Sequence, residues 1–238
     1  MTYEWDPRKA GRLKFEDYWP RLQTLAKEKN AHLIFGAHVI KGTEEKDFEN
    51  AAFVLSPRGE LVGIHTKNHP VHFITDGIAS ATAKAIPTAL GKLGVPICFD
   101  NDYPEVDRKL VQDGAEVFLV PNMDPDEWGR VQHAQHSLLF AMRAMENGRW
   151  LARADGYGGT SAVAPNGVEI AHVKNEEPQV LKVTVGRTNR LTLYSLGGWL
   201  FGPLCLIASI GLLVVRFGYN RLCEPSSSLN NLRRSHGS

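Results

Sequence analysis

Three groups of residues could do chemistry. Cys98 sits in the run GVPICFDNDYP, Lys67 follows the segment LVGIHT, and five histidines fall in two local sets, His65, His69 and His72, then His133 and His136. A thiolate is a soft nucleophile suited to covalent acyl transfer, but a free thiol is only a few per cent ionised at neutral pH and needs a base or a cation beside it. A cysteine at the end of an apolar strand, just before a helix N-terminus, stands where the helix dipole favours the thiolate. The bland alternative is a small buried hydrophobe. Imidazoles at these spacings could share zinc, but neither set has an acidic or thiolate cluster in its local sequence, so no metal is expected. The three cysteines, Cys98, Cys205 and Cys223, form neither a CxxC knuckle nor a disulfide framework.

The elements that must position these groups can be read from periodicity. Asp17 to Lys29 carries Trp19, Leu22, Leu25 and Ala26 at helical spacing, and the apolar run AHLIFGAHV after it is of strand length. Ala51 to Ser56 and Leu61 to Thr66 flank Pro57-Arg58-Gly59-Glu60, a turn between two hairpin strands that delivers Lys67. Leu93 to Phe99 reads as a strand carrying Cys98 at its end, and Pro104 opens a helix. Glu116 to Pro121 reads as another strand. Val131 to Asn147 reads as a helix with Leu138, Leu139, Met142 and Met145 on its apolar side, and three short strands follow between Leu151 and Val185. Strands that alternate with helices and then gather into hairpins make an α/β protein with a mixed sheet.

The 238 residues suffice for one catalytic-sized core, and a net charge of +1 with 22% charged residues gives no field that would draw nucleic acid. The opening MTYEWDPRK has no apolar stretch of a secretory signal. Leu193 to Val215 contains no charged residue and, at ~1.5 Å per residue, reaches roughly 34 Å, enough to cross a bilayer core. Its glycines and Pro203 weaken a helix in water but are tolerated in lipid. Lys182, Arg187 and Arg190 on one side and Arg216 and Arg221 on the other leave the orientation open. The expected organisation is a catalytic domain over residues 1–188, a membrane helix over 191–216 and a polar tail over 217–238.

Several linked motifs now converge. Gly94-Val95-Pro96-Ile97-Cys98-Phe99-Asp100 with Tyr103-Pro104-Glu105 resembles the nucleophile strand and helix start of the carbon-nitrogen hydrolase (nitrilase) superfamily, and Asn50 to Gly63 resembles its hairpin, with Lys67 in the place of its lysine. Gln135-His136, Arg143-Ala144-Met145-Glu146-Asn147, Leu151-Ala152-Arg153-Ala154 and Pro165-Asn166-Gly167 are similar to its later motifs, in order, over residues 17 to 185. The resemblance implies a four-layer α-β-β-α sandwich, incomplete at its N-terminus, with one C-terminal transmembrane helix. It also implies a Cys98 thioacyl intermediate, Lys67 on the oxyanion, a glutamate as general base, and no metal or cofactor. The backbone N–H of Phe99 would be a second oxyanion donor. Thr192-Leu193-Tyr194-Ser195 with Gly197, Gly198 and Trp199 resembles the approach to the last membrane helix of bacterial apolipoprotein N-acyltransferases. That implies a phospholipid acyl donor, a lipoprotein N-terminus as acceptor, and the bacterial inner membrane. A membrane-tethered amidase or nitrilase acting on a small amide is the alternative, and an inactive binding domain is a third. Superfamily members often dimerise, so a homo-oligomer is a further expectation.

The departures are specific. No strand ending in Pro-Glu precedes the first helix; the chain is expected to begin after that general base, and whether Glu4 replaces it is left open by the sequence. The several N-terminal membrane helices of complete acyltransferases are absent from this sequence. After Lys67 the family's second glutamate is replaced by the shorter, offset Asp76, and Asp100 stands where acyltransferases carry Glu. Glu146 is expected to be structural or to line the site, Trp128 to be a substrate wall or loop anchor, and His136 to pack near the pocket. Cys205 and Cys223 are expected to be inert or palmitoylated.

Overall fold

A computed structural model describes residues 15–41, 47–157, 159–173 and 178–223. The chain divides into two compact units, Met1–Ser195 and Leu196–Ser238. The first opens with helix α1 (Phe15–Lys29) and strands β1 (Leu33–Ile40), β2 (Phe48–Leu55) and β3 (Leu61–Thr66), which form an antiparallel sheet in the order β1-β2-β3. Trp19 of α1 meets Phe35 and Phe53 edge-on, at ring-centroid distances of 6.4 and 6.0 Å, so one sheet face is covered by α1. Leu25, expected on that apolar face, is exposed instead.

The second sheet has the order β4-β5-β6-β7-β8-β9, from β4 (Ile86–Thr88), β5 (Gly91–Gly94), β6 (Val117–Asn122), β7 (Leu151–Asp155), β8 (Thr160–Val163) and β9 (Glu169–Val173). Helices α2 (Pro104–Gln112) and α3 (Gly129–Asn147) cross over between β5, β6 and β7, which therefore run parallel; the outer pairs are antiparallel. Ala52 and Val54 of the small sheet pack on Ile86, Leu93 and Val117 of the large one and on Val95 just past β5. On its other face Phe118, Val120 and Leu151 pack on Val106, Leu110, Phe140 and Ala144 of the two helices. The layers are helix, sheet, sheet, helix, as expected. Close approach of the sheets uses Gly63, where an added Cβ would stand 2.7 Å from Ile86.

Three expectations need correction. The strand expected over Leu93–Phe99 ends at Gly94, and Cys98 begins a 3-10 turn, Cys98–Asp102. In α3, Leu138, Met142 and Met145 are exposed, and the inward stripe is His136, Phe140, Arg143, Ala144 and Asn147. That stripe has helical spacing but is largely polar, so apolar periodicity misassigned the face. The chain breaks after the short helix α4 (Leu193–Leu196), at Gly197, and in the C-terminal unit the long helix α5 runs over Phe201–Cys223. The stretch Gly198–Tyr219 is long and apolar enough to cross a membrane, later in the chain than the span read from sequence.

Candidate active site

Parallel β-α-β units leave their ligand-facing ends at the carboxyl ends of the strands. The chain leaving β5 runs buried through Val95 and Ile97 to Cys98, which adopts a φ of 47°. A non-glycine residue in this left-handed region costs roughly 1–2 kcal/mol, so something must hold it there. Asp100, fully buried, is the fastener. Its Oδ2 accepts the Ile97 N–H at 3.0 Å, and its Oδ1 accepts the N–H groups of Asn68 and His69, each at 2.9 Å. His65 Nε2 lies 3.2 Å from Oδ2. One carboxylate thus ties the cysteine turn to the loop that follows Lys67.

Lys67 is 2% exposed, and its Nζ donates to Asp76 Oδ2 at 2.6 Å. Asp76 is itself fixed by the Val71 N–H at 2.9 Å and by Asn50 Nδ2 at 2.7 Å. The offset aspartate therefore reaches the lysine despite its shorter side chain. The Cys98 thiol is raised to about 12: burial pushes it up most, the Lys67 charge and a backbone hydrogen bond from Met123 pull it down, and the Asp124 and Asp76 carboxylates add to the rise. The resting sulfur is a thiol.

On the other side of the sulfur lies a group that the sequence reading did not single out. Asp124, beyond the end of β6, places Oδ1 3.9 Å from Cys98 Sγ. His136 Nδ1 lies 2.8 Å from Asp124 Oδ2, and Asp102 Oδ1 is 3.2 Å from His136 Nε2, an ion-pair distance off the hydrogen-bond direction. Burial pulls the His136 imidazole down, but Asp102 and Asp124 outweigh it and raise it to about 9. Burial pushes Asp124 up, yet His136, Asn122 and Arg153 hold it below the usual carboxylate range. Arg153, buried on β7, is 4.0 Å from Asp124 and 3.9 Å from Asp155, and donates to Ser137 Oγ at 3.1 Å.

The ligand atoms of Cys98, Asp124 and His136 lie within 4.8 Å of one another, a spacing that could hold a metal. The short Asp124–His136 contact is already a hydrogen bond, and the Arg153 and Lys67 cations face the same atoms. A hydrogen-bonded relay fits the cluster better than a divalent ion.

The remaining expected residues separate. Phe99 packs beside the inter-sheet core and meets Tyr103 edge-on at 5.4 Å. Trp128 meets Phe73 at 5.6 Å, near a cleft of about 420 Å³ lined by Pro70, Val71, His72, Ile74 and Asp76. His65, His69 and His72 take different partners, Asp100, Glu105 and the Tyr103 hydroxyl, and His133 turns to the Pro125 carbonyl. Glu146 sits on α3 beside Arg143. It pairs with Arg143 at 3.0 Å, and burial raises its carboxyl. Cys205 is exposed on α5. Glu4 lies outside the described residues.

Comparison with known proteins adds three findings. The family model for carbon-nitrogen hydrolase matches residues 9–190. An apolipoprotein N-acyltransferase of Geobacter metallireducens is 28% identical over 240 residues, covering 89% of this chain and 45% of that protein, so the chain spans about half the length of this relative. Among solved structures, a carbon-nitrogen hydrolase from Helicobacter pylori G27 matches with a TM-score of 0.60 at 21% identity, covering 69% of this chain and 65% of that one. A variant of the amidase from Nesterenkonia sp. AN1, with acrylamide added at its active-site cysteine, matches at 0.58 and 21%, covering 70% and 68%. Two sheets between helices, a cysteine on a strained turn and a family match over most of the first unit lead to one conclusion: the chain belongs to the carbon-nitrogen hydrolase family.

Proposed function

We propose that this chain carries an acyl-transfer site of the apolipoprotein N-acyltransferase kind, with Cys98 as nucleophile, Lys67 as the cation facing the oxyanion, and a membrane phospholipid as donor. In the first step the Cys98 sulfur adds to an acyl ester carbonyl and the alkoxide leaves with the thiol proton as a lysophospholipid. In the second, an N-terminal amine attacks the thioester and its proton returns to the sulfur. Lys67, with the N–H of Phe99, would meet the charge that develops on the carbonyl oxygen in both steps. Glu4 or another carboxylate would relay the protons.

The observation that carries this reading over an amidase is the apolar Gly198–Tyr219 helix in a chain that has several relatives bearing the acyltransferase name. It would place the domain at the bacterial inner membrane. A specific observation favours the second reading: the Nesterenkonia neighbours in fold are amidases. Incubating the detergent-solubilised chain with phospholipid carrying a labelled acyl chain separates the two. A label on Cys98 released by hydroxylamine, then transferred to a peptide with an N-terminal lipidated cysteine, is the expected result. Ammonia release from small amides without lipid labelling would favour the amidase, and neither activity would leave a binding domain.

A further inference from the structure

We infer that Asp102, His136 and Asp124 form a relay, buried at His136 and Asp124, that restrains the Cys98 thiol, with Asp124 as a positioning residue that accepts the S–H and keeps the sulfur protonated until substrate arrives. The inference rests on Cys98 being the reactive thiol of the proposed function. The geometry is a line of three groups ending at the sulfur. Asp102 stands at 3.2 Å from one imidazole nitrogen, both Asp124 oxygens at 2.8 and 2.9 Å from the other, and Asp124 Oδ1 at 3.9 Å from Sγ. His136 and Asp124 are 2% and 0% exposed.

Each end of the line is fixed from a different element. Asp102 belongs to the turn of Cys98 itself, so the nucleophile and the far carboxylate move together. Asp124 receives its position from β7, because Asp155 Oδ1 accepts the Asp124 N–H at 3.2 Å and Asn122 Nδ2 donates to Asp155 Oδ2 at 2.8 Å. His136 comes from α3, whose Phe140 ring lies 4.6 Å from the imidazole. The charged groups facing the relay are Arg153 from β7, with Asp155 beside it, and Lys67 with Asp76 across the sulfur.

Signs decide the role. A doubly protonated imidazole between two carboxylates, with the Arg153–Asp155 and Lys67–Asp76 pairs alongside, sets three cations against four carboxylates while the sulfur is neutral. A thiolate would add an anion directly opposite Asp124. A carboxylate held below its usual range is also a poor acceptor for a thiol proton. Asp124 can therefore orient the S–H and oppose ionisation, and the base that finally removes the proton must come from elsewhere.

The test is the rate at which iodoacetamide alkylates Cys98 between pH 7 and 9, read by peptide mapping in the full chain with Cys205→Ser and Cys223→Ser. Removing a like charge at this distance lowers a pKa by about one to three units. About half of the resulting gain in thiolate is cancelled by its lower nucleophilicity, so Asp124→Asn should react roughly 3- to 30-fold faster. His136→Gln uncovers the Asp124 charge and should react no faster than wild type, and slower where Asp124 stays ionised. These opposite directions distinguish the relay from packing damage, which would speed both variants by loosening the site. Acceleration of both, or an Asp124→Asn rate equal to or below wild type, overturns the inference. Should Asp124→Asn fail to fold, nitrogen-15 spectra of the wild-type histidines at pH 8 take its place: His136 must show both nitrogens protonated, and a neutral ring would sink the relay. A chain that forms no acyl thioester yet shows the opposed alkylation rates would lose the proposed function and keep the relay.

Discussion

Replacing Asp100 with asparagine changes one oxygen for one nitrogen and should loosen the turn that carries Cys98. The new carboxamide could keep its oxygen as acceptor for the Asn68 and His69 amides, but its NH₂ would face the Ile97 N–H, which Asp100 Oδ2 now accepts at 3.0 Å. An unmade bond from a buried amide costs about 1–3 kcal/mol. The two surviving bonds lose the charge that roughly doubles their strength, or about 1 kcal/mol each. The sum is roughly 3–5 kcal/mol, and at ~2–4 °C per kcal/mol for a unit of this size the melting temperature should fall by about 6–20 °C. Melting of the detergent-solubilised chain followed by circular dichroism would measure it. Glu105→Gln is the control: it removes only the partly exposed contact with His69 and should cost less than about 1 kcal/mol. A loss for Asp100→Asn no larger than that of the control would refute the claim that this carboxylate fastens the two loops.

Three further outcomes are expected. Lys67→Met leaves the Asp76 carboxylate buried without its cation, so stability in urea should fall by about 3–5 kcal/mol, and Cys98 alkylation should slow because the lysine's charge no longer favours the thiolate. His136, raised in the folded chain to about 9 from an ordinary ~6.5, binds its proton more tightly when folded; this stabilisation is complete below about pH 6.5 and is lost as the pH rises through 9. The contribution is on the order of 3 kcal/mol, and urea titrations across pH 6 to 9.5 should show a decline in the wild type that His136→Gln flattens. Gly94→Ala puts a Cβ 2.7 Å from the Phe118 ring and should cost about 1–3 kcal/mol in the same titration, with β5 and the cysteine turn displaced.

What could be read from the sequence was local. The hairpin that delivers Lys67 was visible because Pro57 and Gly59 interrupt two β-rich runs, and the structure forms β2 and β3 on either side of them. The extent of β5 was not visible. Val95 and Ile97 are buried and apolar, so they read as strand, whereas the backbone is already leaving the sheet toward a φ of 47° at Cys98. Asp124 was missed for a related reason: what makes it special is contact with His136 on a helix, Arg153 on another strand and Cys98 26 positions earlier. The one local sign was available, in that Asn122-Met123-Asp124 follows a strand directly. The polar stripe of α3 was hidden because apolar spacing scores Leu138 and Met142 as the inner face, while His136 and Arg143 are inside with long-range or same-helix partners.

The left-handed backbone at Cys98 also limits which residue could stand in for the proposed nucleophile. A β-branched side chain at positive φ collides with its own backbone, so threonine is closed to this position, and with it any route to a threonine-dependent hydrolase on the same turn. Serine has no such obstacle and would fit the turn. It would fail for another reason: a hydroxyl is far harder to ionise than a thiol, and the neighbourhood that restrains sulfur would silence oxygen. On the proposed reading, the geometry thus confines variation at this point to cysteine or loss of function.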